Sequence, residues 1–455
     1  MPSTTTPAPS RLPALDALRA VGAAAVVGTH VGFATGATGA TAFGGLLARM
    51  DVGVAIFFAL SGFLLFRPFA YAAATGTRRP GARRYLWRRA LRILPAYWLT
   101  VLVCLAVLPG NADAPRADWL RFATLTQIYA PGHLHEALGH TWSLATEVAF
   151  YLLLPVAAAL ALGRSWRPGR TLALLCAGGA AVTGGWLAAM AAGLLDMGLH
   201  TMWLPAFAAW FAGGMALATV HVATETGTAP ARWSVVAEAG RAPLTCWVLA
   251  AGLFVIAGTP LTGPRDLAEP TPSQFGARMV LFLAIALAVV LPAAFCPPGA
   301  VRAALSGRVA RWLGTVSYGL FLWHPFVLTL LDPGLGSANL AGFARTYLLT
   351  MAGALALAAL SWYALEEPVQ RLSRLRGPSP LRRLGRVRGS GRVRGSGRFR
   401  WSGRFSGLGR SWLPGPLRRT RRPEPPEPAP SATDQERAGG SVPSQSATSA
   451  ASPTS

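Results

Sequence analysis

The sequence predicts an all-α protein, a polytopic bundle of about ten membrane-spanning helices with both termini in the cytoplasm. Three observations support this fold class. Hydrophobic residues make up 52% of the chain and charged residues only 13%, whereas soluble domains carry about 25% charged residues. Apolar runs long enough to cross roughly 30 Å of hydrocarbon recur along the chain. Arginine is concentrated in alternate loops. The composition excludes a cytosolic enzyme, a secreted disulfide scaffold and a fibrous protein.

Each apolar run is assigned to one span, because about 20 apolar residues in a helix match the bilayer. The third and ninth runs are interrupted by Arg or Pro, and the extramembrane segment 110–140 is predicted to contain an amphipathic or re-entrant piece. The predicted spans are 13–33, 46–69, 90–109, 141–162, 171–194, 201–221, 243–260, 276–296, 309–331 and 341–365.

The loop charges predict orientation and domain boundaries. All basic residues are Arg, and with the N-terminus inside, the Arg-rich loops fall on the cytoplasmic side. We expect a disordered segment at 1–11, a membrane domain at 12–370 and a cytoplasmic tail at 371–455. The tail holds 18 Arg against four acidic residues, is Arg/Gly-rich and then Pro/Ser-rich, and should be disordered. We expect it to contact anionic lipid headgroups and not nucleic acid.

The four cysteines offer no redox or metal motif. Each lies in or at the edge of an apolar run and none forms a CxxC pair, which argues against disulfides and a cysteine zinc site. The seven histidines are scattered without carboxylates at ligand spacing, so no metal is expected. The polar, Pro-rich N-terminus does not resemble a cleavable signal peptide.

Two ionisable residues within the first span are the first candidates for chemistry. Arg19 and His30 are eleven residues apart, so at about 100° per residue they share one helix face, separated by roughly 16 Å along the axis. Charged groups inside spans are costly and usually functional. The alternative is structural: Asp16 pairs with Arg19 at the start of the helix, and His30 bonds a nearby carbonyl.

Five motifs occur in order and resemble a known family. They are LDALRAVGAAAVVGTH, with Arg-x10-His; DVGVAIFFALSGFLL; RRALRILPAYW; WSLATEVAFYLLLP; and SYGLFLWHP followed by LEEPVQRL. Together they resemble the acyltransferase-3 membrane O-acyltransferases over about residues 12–370. Two positions depart from the pattern: Val148 stands where the family commonly has a second acid after Glu147, and Phe321 stands where a tyrosine is common.

The resemblance implies a multi-pass cell-membrane enzyme that transfers an acyl group, most commonly acetyl, from cytoplasmic acyl-CoA to a hydroxyl. The acceptor would be a carbohydrate, a cell-envelope glycan or a secondary metabolite. Arg89 and Arg92 are expected to bind the CoA phosphates, since arginine suits bidentate phosphate contacts. His30 is expected to act as general base, because a buried neutral imidazole can accept the hydroxyl proton. Arg19 would position the donor or stabilise the thioester oxygen.

Glu147 is expected to orient or charge-stabilise His30, as a carboxylate does in a catalytic triad. Several alternatives stay open. Glu147 could pair with an Arg or cap a helix, Arg89 and Arg92 could simply anchor the span, and catalysis could pass through an acyl-histidine. His324, beside Pro325, and Ser61 are interpreted as structural residues. The competing functions are a transporter or flippase of a lipid-linked or acylated metabolite, and a membrane scaffold.

Overall fold

The computed structural model describes residues 12–130, 135–331 and 338–375, and the long helices are built from the predicted apolar runs. Several of these helices begin with a proline, because the N–H groups of the first helical turn have no acceptor within the helix and proline lacks this group. The ten long helices are α1 Ala14–Ala34, α2 Val52–Ala74, α3 Ala82–Val107, α4 Trp142–Leu162, α5 Pro168–Ala191, α6 Leu204–Glu225, α7 Pro243–Ala257, α8 Pro272–Phe295, α9 Arg308–Leu331 and α10 Leu340–Ser361.

Short helices connect these spans. The α-helical ones are Ala37–Ala40, Gly44–Ala48, Arg116–Ala123, Met197–His200, Ser234–Gly240, Ala300–Leu305 and Glu367–Leu375, the last joined to α10 by a π-helical turn at Trp362–Glu366. The 3₁₀ turns are Pro109–Asn111, Gln127–Tyr129, Gly139–Thr141, Ala231–Trp233 and Pro260–Thr262. No strand occurs in the described ranges, so the predicted all-α class is confirmed.

Nine helices in the described part of the chain are long and apolar enough to cross a membrane. A tenth span results if Ser234–Gly240 and its preceding turn are joined to α7 across a 79° bend. This agrees with the prediction of about ten spans, and the protein is a multi-pass membrane protein. The third span begins at Ala82 rather than near residue 90, because the Arg-rich segment that hydropathy excludes is also helical.

Helix α2 lies at the centre of the bundle, where it packs against α1, α6 and α8. Glycines allow this packing between α2 and α6. A Cβ on Gly62 would lie 2.2 Å from the Phe211 carbonyl oxygen, and one on Gly214 would lie 2.0 Å from that of Ala59. Small residues let transmembrane helices approach closely. The consequence is that side chains from α1, α2, α3, α4 and α9 line one cavity.

The extramembrane segment between α3 and α4 contains the short helix Arg116–Ala123, which is anchored by charged contacts. Asp118 accepts from Arg121 at 2.9 Å and contacts His135 Nε2 at 2.8 Å. Burial alone would raise the pKa of Asp118, but these hydrogen bonds and charges outweigh it and lower the pKa. The described part of this segment therefore forms a cap that is hydrogen-bonded to the bundle through Tyr97 and Trp203.

The predictions for residues 1–11 and for the basic tail from residue 376 onward lie outside the described residues. The predicted orientation, with the Arg-rich loops in the cytoplasm, remains a sequence-based expectation. It is used below only to name the two ends of the bundle: the Arg-rich end and the opposite end.

Candidate active site

Arg19 and His30 lie on α1 in two different cavities. Arg19 lines an inner cavity of about 70 Å³, whereas His30 lines a cavity of about 250 Å³ at the opposite end. We call the first the inner cavity and the second the outer cavity. Asp16 is exposed and forms no ion pair with Arg19 in the described part of the chain. The alternative of an ion pair at the start of α1 is therefore not realised.

The inner cavity carries an excess of positive charge. Arg19 from α1 and Arg89 and Arg92 from α3 all line it. Glu147 on α4 is the one carboxylate among the described residues that line it, and this side chain accepts a hydrogen bond from the Ser61 hydroxyl on α2. Three guanidinium groups facing one carboxylate favour an anionic ligand or a developing negative charge.

A larger cavity, the mouth cavity, opens at the Arg-rich end and has a volume of about 640 Å³. Arg89 lines both the mouth cavity and the inner cavity, so it lies at their junction. Within the described ranges no acidic side chain lines the mouth, which is bounded by the basic residues Arg78, Arg79, Arg84, Arg88 and Arg89 and by Leu64, Leu65, Phe69 and Tyr85. Such a surface fits a polyanion attached to an apolar or aromatic group.

In the outer cavity, His30 on α1 contacts His324 on α9. The two ring atoms His30 Nδ1 and His324 Nε2 are 3.0 Å apart, and His324 Nδ1 lies 3.3 Å from the Leu320 carbonyl oxygen. A carbonyl only accepts, so His324 Nδ1 carries the hydrogen and donates to Leu320. His324 Nε2 is then an acceptor, and His30 Nδ1–H donates to it. This relay leaves His30 Nε2 unprotonated, with its lone pair free to accept a proton.

A third imidazole completes this cluster. His140, in the turn before α4, lies with its ring centroid 5.2 Å from that of His324 and 6.4 Å from that of His30. Neither His140 ring nitrogen makes a hydrogen bond of good geometry in the described residues, and the backbone of Phe321 and Leu322 lies close to the ring. His140 also lines the outer cavity, so its ring borders the space beside His30.

The inner and outer cavities are back to back. Val54 on α2, Ser143 on α4 and Phe321 on α9 line both, so these three side chains form the partition between them. Phe321 contacts Phe57 and His140, with centroid distances of 6.0 and 4.9 Å. The mouth, inner and outer cavities therefore follow one another from the Arg-rich end to the opposite end, with the partition of Val54, Ser143 and Phe321 between the inner and outer cavities.

The structure brings four of the five predicted site residues together and separates the fifth. Arg19, Arg89, Arg92 and Glu147 share the inner cavity, and His30 lies beyond the partition. Glu147 does not contact His30, because its carboxylate accepts a hydrogen bond from Ser61 in the inner cavity. The orienting contact to His30 comes from His324 instead, a residue interpreted from the sequence as structural.

Sequence reasoning also gave no role to His140 or Asp51, both of which line the outer cavity. His140 lies two residues before the start of the WSLATE motif, and His324 lies inside the LWHP motif, so closeness to a family motif was the available signal. No group of three or more His, Cys, Asp or Glu side chains suited to a metal ion occurs among the described residues.

Residues 12–363 match the acyltransferase-3 family model, which is described as an acyltransferase domain. The chain is 26% identical over 378 residues to the peptidoglycan O-acetyltransferase OatA of Listeria monocytogenes, which covers 79% of this chain and 56% of OatA. It is 27% identical over 344 residues to nodulation protein 10 of Rhizobium leguminosarum, covering 70% of this chain and 82% of that protein. No solved structure matches.

This chain thus spans a little over half the length of OatA. The match to the family model covers the whole set of spans and every motif that contributes to the three cavities. On that coverage, the chain belongs to the acyltransferase-3 family of integral membrane proteins.

Proposed function

We propose that this chain is a membrane O-acyltransferase that takes an acyl group from acyl-CoA at the Arg-rich end and transfers it to a hydroxyl in the outer cavity. The observation that supports the proposal is the partition: Val54, Ser143 and Phe321 line both the inner cavity, with its guanidinium groups, and the outer cavity, which contains His30. A donor and an acceptor approaching from opposite ends would meet there.

The donor site is proposed to be the mouth and inner cavities. Five arginines at the mouth would bind the CoA phosphates, with Arg89 at the junction and Arg92 deeper along the same face of α3. The apolar residues of the mouth would take the adenine and pantetheine portions. The inner cavity, at about 70 Å³, suits a short acyl group such as acetyl.

In the proposed reaction, His30 Nε2 removes the proton from the acceptor hydroxyl as the oxygen attacks the thioester carbon. The new C–O bond forms, the C–S bond breaks, and the thiolate of CoA takes up the proton, so the products are an ester and free CoA. Arg19 would stabilise the negative charge that develops on the thioester oxygen. Glu147, held by Ser61, would balance the charge of the guanidinium groups around the donor rather than act on His30.

The proposed class of acceptor is based on the role of His30 as a general base for a hydroxyl group. OatA is named for O-acetylation of peptidoglycan, and a hydroxyl of a cell-envelope glycan, another carbohydrate or a secondary metabolite would fit a general base that removes an alcohol proton. We propose the hydroxylated acceptor as partner, together with the surrounding bilayer. The basic tail is proposed to bind anionic lipid headgroups, so removal of residues 378–455 should weaken binding to anionic vesicles and leave most catalysis.

The test is acyl transfer from radiolabelled acetyl-CoA by the purified protein in lipid nanodiscs. His30→Ala should lower kcat by roughly 100- to 10,000-fold, the usual contribution of a general base. His200→Ala is the matched control, since His200 lies on a short helix and lines none of these cavities. Full activity in His30→Ala, at equal protein levels, would remove His30 as the base.

A transporter or flippase is the second candidate, because three cavities in series also describe a permeation path. The two functions differ in their need for a donor. Movement of a labelled acceptor across vesicles without acyl-CoA would favour transport, whereas ester formation that strictly requires acyl-CoA would favour the enzyme.

A further inference from the structure

The outer cavity has a second arm. A cavity of about 230 Å³ adjoins it and shares four lining residues with it, namely Asp51, Val54, Trp142 and Arg278. His30 lines the outer cavity and not this side arm. We call the second cavity the aromatic arm. A molecule bound beside His30 can therefore extend past Asp51 into a second compartment.

The two compartments differ in chemistry. The part around His30 is bordered by polar and charged side chains, among them Thr29, Arg49, His140, Ser143 and Asp266. The aromatic arm is bordered by Trp142, Phe207, Trp210, Phe275 and Phe282, with Met202 and Met279. Trp142 stacks on Phe207 with a centroid distance of 5.3 Å. One compartment suits hydroxyl groups and the other suits an apolar or aromatic group.

Asp51 stands where the two compartments meet. Its Oδ1 is buried without a hydrogen-bond partner among the described residues, and its Oδ2 lies 3.8 Å from Arg278 Nη1. Arg278 directs its Nε and Nη2 to the Thr262 carbonyl at 3.0 and 2.8 Å. A carboxyl oxygen can accept hydrogen bonds, so the unpartnered Oδ1 of Asp51 retains capacity to accept one from a ligand hydroxyl.

The volumes of the two cavities also indicate a ligand that occupies both compartments. Sites for drug-sized ligands occupy about 300–1,000 Å³, and neither the outer cavity, at about 250 Å³, nor the arm, at about 230 Å³, reaches that range alone. Joined through Asp51 and Trp142, they reach it. A small hydrophilic sugar would fill only the part around His30 and leave the arm empty.

We infer that the acceptor is a two-part molecule, a glycoside or similar polyol with an apolar substituent. Its hydroxyl-bearing part binds beside His30 with a hydroxyl donated to Asp51, and its apolar substituent occupies the aromatic arm. This inference rests on the proposed function, since it assigns the acceptor of the same reaction, and it distinguishes that acceptor from a purely hydrophilic glycan strand.

The test compares matched glycosides that differ only in their substituent. Methyl and p-nitrophenyl glycosides of the same sugars are titrated by microscale thermophoresis against the His30→Ala protein in nanodiscs, which binds without turnover. The aryl glycosides should bind roughly tenfold more tightly, from burial of the ring. Met202→Trp, which fills the arm, should reduce that preference to about twofold or less. Leu194→Trp, at an exposed position away from the cavities, should leave it unchanged.

Asp51→Asn should weaken binding of both glycosides by roughly tenfold, as expected for loss of one hydrogen bond to a buried carboxyl oxygen. Equal binding of the two glycosides, or an aryl preference that survives Met202→Trp, would overturn the inference. Acyl transfer is measured separately with the wild type. Aryl-selective binding without any transfer would refute the proposed function and leave the two-part ligand site standing, so the two failures can be told apart.

Discussion

The contact between His30 and His324 yields the sharpest prediction. Replacing His324 by Leu puts an apolar side chain of similar size at this position of α9. It removes the acceptor that faces His30 Nδ1 at 3.0 Å. The Val26 backbone remains a second hydrogen-bond partner of the His30 ring, so the loss is that of one typical hydrogen bond, about 0.5–1.5 kcal/mol. The tautomer with an unprotonated Nε2 would be destabilised by that amount, which corresponds to roughly a 2- to 13-fold lower kcat. The KM values for acyl-CoA and acceptor should stay nearly unchanged.

The assay is steady-state acyl transfer in nanodiscs, with His324→Gln as the rescuing variant. The Gln side-chain oxygen can accept from His30 Nδ1, so His324→Gln should recover much of the lost kcat. Tyr347→Phe is the control, because Tyr347 donates to the Ala24 carbonyl on α1 at 3.1 Å without contacting a histidine of the site. Wild-type kcat in His324→Leu, or equal losses in the Leu and Gln variants, would refute the tautomer assignment.

Three further predictions follow from the cavities and the cap. Arg89→Gln should raise the KM for acetyl-CoA by roughly 10- to 100-fold, whereas Arg83→Gln, at an exposed position outside the cavities, should not. Phe321→Ala opens the partition and should increase CoA release without acceptor several-fold, measured by thiol titration, because water reaches the thioester. Asp118 has a lowered pKa, so its stabilisation is complete above the ordinary Asp pKa and is lost as pH falls through the lowered value. Asp118→Asn should therefore flatten the acid side of a thermal-unfolding pH profile, and an unchanged profile would contradict this.

Much of the fold follows from the sequence because hydropathy and length decide which segments cross the bilayer. The helical repeat also placed Arg19 and His30 on one face of α1, and the motifs identified Arg89, Arg92 and Glu147 as site candidates. The structure adds that these three line one cavity with Arg19. The predicted start of α3, at residue 90, is eight residues too late, because the helix begins at Ala82 in an Arg-rich segment that has no hydropathy signal.

The partner of His30 could not be predicted in the same way. The sequence places Glu147 and His324 at similar depth, and depth alone does not say which helix faces α1. The packing decides it: α9 lies directly against α1, and the Ser61 hydroxyl on α2 binds the Glu147 carboxylate. Asp51 is the first residue of the DVGVAIFFALSGFLL motif, but its position between two cavities arises only when α2, α4 and α8 are assembled.

The central claim is that donor and acceptor reach one partition from opposite ends of the bundle. It is tested most directly in sealed vesicles of known orientation, with labelled acetyl-CoA added only at the face of the Arg-rich loop and the acceptor enclosed on the other side. We predict labelled ester in the enclosed compartment with wild-type protein and almost none with His30→Ala. Ester formation only when acetyl-CoA and acceptor share one compartment, or equal labelling by the variant, would contradict the account.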